Sequence, residues 1–98
     1  MRVLVIYDDE PIRLGKTYQA YRDGSEVYLA GYSEFGLWMA TRLGLMGYEP
    51  IGLLKLGEAL DRYEPGVVRV CGNAASPFGD LVVEVRPIEI YRKVVEVA

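Results

Sequence analysis

Three acidic residues in succession, Asp8, Asp9 and Glu10, close the first apolar run of the chain. At the carboxyl end of a strand in an open α/β sheet they stand where such sheets bind ligands, and clustered carboxylates supply the hard oxygen ligands that Mg²⁺ prefers. Asp8 and Asp9 are therefore the candidate metal ligands; nothing else in the sequence asks for a cofactor. Their competing role is electrostatic, because acids ahead of a helix complement the positive end of its dipole. A second candidate is Gly31-Tyr32-Ser33-Glu34-Phe35-Gly36, a strand-to-helix turn whose backbone N–H groups could hold an anion beside Ser33. Its glycine spacing is that of a phosphate loop, but Leu37 and Trp38 stand where that loop carries Lys and Ser or Thr, so Ser33 as a helix cap is the simpler role. The third is the loop from Gly72 to Asp80, longer than a hairpin requires, with Asn73, Ser76, Phe78 and Asp80 as residues that could face a small ligand. Its plainer role is a surface connection with Phe78 tucked into the core.

The chain has no histidine, so every Ser-His, Cys-His and His-ligated metal mechanism is closed to it alone. Its single cysteine, Cys71, cannot form an intrachain disulfide, lacks an activating base nearby in sequence, and fits a buried, inert thiol in a reducing cytoplasm. The run Val3-Leu4-Val5-Ile6-Tyr7-Asp8-Asp9-Glu10-Pro11-Ile12-Arg13 resembles the opening of the response-regulator receiver family. In that family paired acids after the first strand hold Mg²⁺ beside a phosphorylated aspartate. The resemblance covers about a tenth of the chain, and where the family's phosphoacceptor would close a later strand, Ile51-Gly52-Leu53-Leu54 is followed by Lys55.

The elements that must position these residues follow from periodicity. Arg2 to Tyr7 reads as a strand whose apolar residues do not alternate, as expected of burial on both faces in a parallel sheet. Ile12, Leu14, Tyr18 and Tyr21, after Pro11 and before Asp23-Gly24, predict a helix over residues 11–22. Gly15 weakens it, and a hairpin through Lys16 to Arg22 turning at Asp23-Gly24 is the alternative. Glu26 to Tyr32 is a second strand, and Ser33 caps a helix from Glu34 to about Met46, apolar nearly all round, with Gly36, Ala40 and Gly44 in a small-residue row. A strand from Ile51 to Leu56, a short helix from Gly57 to Tyr63 and a strand from Val67 to Cys71 follow. Leu81 to Arg86 and Ile88 to Val97 read as a strand-rich, antiparallel tail interrupted by Pro87. The expected fold is one α/β domain over residues 1–98, an open Rossmann-like sheet, mainly parallel in βαβαβαβ order.

At 98 residues and 51% hydrophobic, the chain suits one globular core, and no apolar run reaches the ~20 residues that span a bilayer. The formal charge of −3 is spread evenly along the chain, without the basic stripe that nucleic-acid binders show. Few amide side chains beside abundant Glu, Val and Tyr suit a thermophilic source. The function expected first is a non-catalytic interaction or regulatory module acting as a homo-oligomer, because a sheet covers only one side of an all-apolar helix. A Mg²⁺-dependent phosphoryl-handling enzyme or phosphate-responsive switch at the acidic cluster is the alternative, and a small-ligand binder a further one.

Overall fold

The computed structural model describes residues 2–77 and 81–97, with the side chains of 93–97 outside that description. Its elements run β1 (Val3–Tyr7), β2 (Thr17–Asp23), β3 (Glu26–Ala30), α1 (Glu34–Leu45), β4 (Glu49–Lys55), α2 (Leu56–Tyr63), β5 (Val67–Cys71), β6 (Val82–Val85) and α3 (Pro87–Val97). The strands form one sheet in the order β4-β2-β3-β1-β5-β6. β1 lies inside it, parallel to β3 on one side and β5 on the other. The remaining neighbours, β2 with β3, β2 with β4 and β5 with β6, are antiparallel.

The expected Rossmann-like, mainly parallel βαβαβαβ sheet is therefore wrong, and two segments account for it. Residues 11–22 are not a helix: an extended connection leads into β2, and Asp23 pairs with Glu26 across a two-residue turn in which Gly24 takes the left-handed backbone at φ 58°. Thr17, Tyr18 and Tyr21 favour strands, and pairing with both β3 and β4 outweighs the helical spacing of Ile12, Leu14, Tyr18 and Tyr21. At the other end, β6 is antiparallel as expected, but Pro87 opens a helix instead of interrupting a strand. Proline suits a helix's first position, where its missing N–H costs nothing. Ile90 anchors α3 in the core. The apolar residues from Ile88 to Val97 are thus helical, with Val94, Val95 and Val97 beyond the described side chains.

Alternation along the strands sorts side chains onto two faces. Leu4, Ile6, Tyr18, Ala20, Val27, Leu29, Leu54, Val68 and Val70 meet Leu56, Ala59 and Leu60 of α2 and Ile90 of α3 in a single buried cluster. No residue of α1 belongs to it. The first turn of α2 has no side-chain cap; Leu56 N and Gly57 N donate to Lys16 O (3.0 Å) and Leu14 O (2.9 Å), so the connection before β2 supplies acceptors that a helix end needs.

On the opposite face α1 lies over β3 and β1. Ser33 Oγ accepts from Gly36 N (3.2 Å), the cap read from the sequence. A Cβ at Gly36 would collide with Gly31 O, so glycine lets α1 approach the end of β3. Gly44, the last of the small-residue row, faces open space. Of the β1 residues turned this way, Val5 is buried and Val3 and Tyr7 are half-buried. Leu37, Trp38, Leu45 and Met46 remain exposed. No helix among the described residues is long and apolar enough to cross a membrane.

Candidate functional site

Asp8 sits where the parallel strands end. Its N–H donates to Cys71 O (3.0 Å), and Gly31 N donates to Tyr7 O (2.9 Å), so the residue is clamped between the ends of β3 and β5. The side chain is fully buried. A Cβ at Gly31 would lie 2.8 Å from Asp8 Cγ, which makes glycine at that position a condition for the carboxylate to fit. Asp8 Oδ1 accepts from Glu10 N (3.1 Å), and Asp8 Oδ2 lies 2.5 Å from Lys16 Nζ, which also donates to Glu10 Oε2 (2.8 Å). Neither Asp8 Oδ2 nor the buried Tyr18 hydroxyl has an aligned hydrogen-bond partner among the described residues. Burial alone would lower the Lys16 pKa, but the two carboxylates outweigh it and hold the ammonium above its usual range. Burial and the adjacent Asp8 push the Tyr18 phenol far upward, so it stays protonated.

Asp9 takes a different partner: Asn73 Nδ2 donates to Asp9 Oδ2 (3.0 Å), while Asn73 Oδ1 accepts from Ala75 N (2.8 Å) and Asn73 O from Ser76 N (3.0 Å). Ser76 is buried against Gly72, where a Cβ would strike its Oγ. Asp8 and Asp9 thus serve separate contacts, one to an ammonium and one to an amide. Among the described residues no three acidic, cysteine or histidine side chains converge as a metal set. Phe78 and Asp80 lie outside the described residues.

The other two candidate regions do meet. Glu34, Phe35 and Trp38 of α1 and Asn73 of the loop line a shallow pocket of ≈ 350 Å³. Beside it, over β1 and β5, runs a groove of ≈ 410 Å³ with Val3, Val5 and Tyr7 in its floor, Phe35, Met39 and Met46 on its α1 side and Leu81 and Val82 on the other. Its volume lies in the range of small-molecule sites. Aromatic rings follow one another along it, Tyr48 to Tyr28 at 5.0 Å, Tyr28 to Tyr7 at 6.5 Å, Tyr7 to Phe35 at 6.3 Å and Phe35 to Trp38 at 6.3 Å between centroids. The Tyr28 hydroxyl donates to Glu26 Oε2 (2.6 Å), and burial with that carboxylate drives the phenol pKa upward. Cys71 forms part of the wall, its thiol pushed up by burial and only partly offset by Arg69. A raised thiol is a poor nucleophile.

Lys16, the partner of Asp8, and the neighbouring Tyr18 are missed by a helical reading of residues 11–22; the hairpin alternative is the signal that points to them. The aromatic row was legible only as an abundance of tyrosine. Comparisons of the chain with protein-family models, curated proteins and solved structures find no match.

Proposed function

We propose that the chain is a non-catalytic interaction module that works as a homo-oligomer, using the α1 face of its sheet and the adjoining edge. One observation carries this reading: among the described residues the buried cluster of thirteen lies on the α2 and α3 face, while the α1 face keeps an open apolar groove. Around that groove Trp38, Met46, Leu81 and Val82 are 54%, 61%, 62% and 45% exposed. Large contiguous apolar patches are uncommon on monomeric proteins and mark association surfaces. The chain has no histidine, and the raised Lys16, Tyr18 and Cys71 pKa values keep those three groups protonated at neutral pH. Light scattering at micromolar concentration tests the reading. A mass that is a multiple of 11.0 kDa is expected, and a monomer throughout would refute it.

A further inference from the structure

The two edges of the sheet differ. On β4, Pro50 has no N–H to offer, the register with β2 slips between Ala20 and Tyr21, and Gly52 sits at φ 106°. Proline and bulges are among the devices that keep an edge from pairing with another chain. β6 has neither: Val82 to Val85 run in unbroken register with β5, and Leu81 and Val82 are exposed.

The hydrogen bonds fix which backbone groups of β6 face β5 and which face outward. Gly72 N donates to Leu81 O (3.0 Å), and the register continues with Val70 opposite Val83 and Val68 opposite Val85. Residues directed at the neighbour alternate in an antiparallel ladder, so Leu81, Val83 and Val85 turn their backbone groups to β5, while Val82 and Glu84 turn theirs outward.

We infer that two copies of this chain join β6 to β6 about a twofold axis through Val83, an inference that rests on the self-association proposed above and names where the copies meet. Such an axis stands perpendicular to the sheet, makes the pair antiparallel and keeps like faces together, so it must pass through a residue. At Glu84 it would set two carboxylates directly opposite, which is repulsive. At Val82 it leaves Glu84 without a partner inside the strand. At Val83 each Val82 meets the other copy's Glu84, both outward-facing, and four backbone hydrogen bonds close. Leu81 then faces Val85 of the second copy. Each Glu84 arrives with its own counter-charge, Arg69 Nε at 3.3 Å, and the two carboxylates lie diagonal to each other. The joined sheet keeps both α1 helices on one face, so the two open grooves become one floor between them.

The axis makes Val83 its own neighbour in a non-hydrogen-bonded pair, with Cα atoms about 4.5 Å apart, within reach of a disulfide. In a Cys71→Ser background, V83C is expected to give a covalent dimer under mild oxidation, and L53C at the β4 edge is expected to give none. E84P removes an outward N–H without touching the β5 ladder, so it is expected to keep the far-UV spectrum and fall from dimer to monomer mass. Assembly that persists in E84P, with no crosslink in V83C, overturns the β6 join while leaving self-association standing. A wild-type monomer overturns both. If V83C does not fold, the mass of E84P decides.

Discussion

The same six strands build two unlike faces. Toward α2 and α3 the sheet offers Leu4, Ile6, Val27, Leu29, Val68 and Val70, aliphatic side chains sealed from water by two helices. Toward α1 it offers Val3, Val5, Tyr7 and Tyr28, and among the described residues only part of that surface is covered. The aliphatic face behaves as a core. The aromatic face keeps a groove, and its tyrosines pair an apolar ring with a hydroxyl that tolerates water, the character expected of a surface wet in one state and covered in another. A small chain can finish one side of a sheet with its own helices and leave the other to a second molecule.

The two faces meet at the centre of the sheet, in β1. Val5 belongs to the open face yet is 4% exposed, because β1 is flanked on both sides and α1 passes over it. V5D is expected to abolish folding by stranding a charge, as judged by loss of the cooperative melting transition. A folded, cooperative V5D would show that the open face reaches the middle of the sheet. Next in size is the ion pair at the strand ends. Lys16→Met leaves the buried Asp8 carboxylate without its cation, an effect of about 3–5 kcal/mol in denaturant titration. Its pH dependence has a definite sign. The folded-state pKa of Lys16 is raised, so its contribution is complete below the ordinary lysine value and is lost only as pH climbs through the folded value, in the strongly alkaline range.

Truncation then separates the faces. Leu29→Ala on the closed face is expected to cost about 2–5 kcal/mol. Trp38→Ala on exposed α1 should change the stability of the dilute chain by less than about 0.5 kcal/mol. Comparable losses at the two positions, by the same titration, would erase the distinction. Smallest of all is the response to metal. With Asp8 paired to Lys16 and Asp9 to Asn73, millimolar Mg²⁺ is expected to leave the melting temperature unchanged. A Mg²⁺-dependent rise that disappears in Asp8→Asn would instead make the strand ends a metal site.

The fold was legible wherever one signal spoke alone. Unalternated apolar residues from Val3 to Ile6 placed β1 inside the sheet, and Ser33 with Gly47 bracketed α1. It was illegible where two periods coincided. The spacing of Ile12, Leu14, Tyr18 and Tyr21 satisfies a helix, and the alternation that marks β2 rests on Tyr18 and Ala20, too small a contrast with Thr17 and Gln19 to decide. Pro87 admits two meanings, a strand break or a helix start, and only the docking of Ile90 chooses between them. At the strand ends Asp8 was visible as an acid, but its partner Lys16 depends on β2, so the error in residues 11–22 hid the ion pair as well. The groove could not be read at all, because it is a gap between α1 and β6, far apart in sequence.

Hydrogen exchange followed across a dilution series tests most directly whether the β6 edge beside the open groove is where copies meet. The outward amides of Val82 and Glu84 are expected to gain protection as concentration rises, while the interior amides of β1 and β3 stay equally protected at every concentration. Protection that is independent of concentration at β6, or that grows at β4 instead, would contradict it.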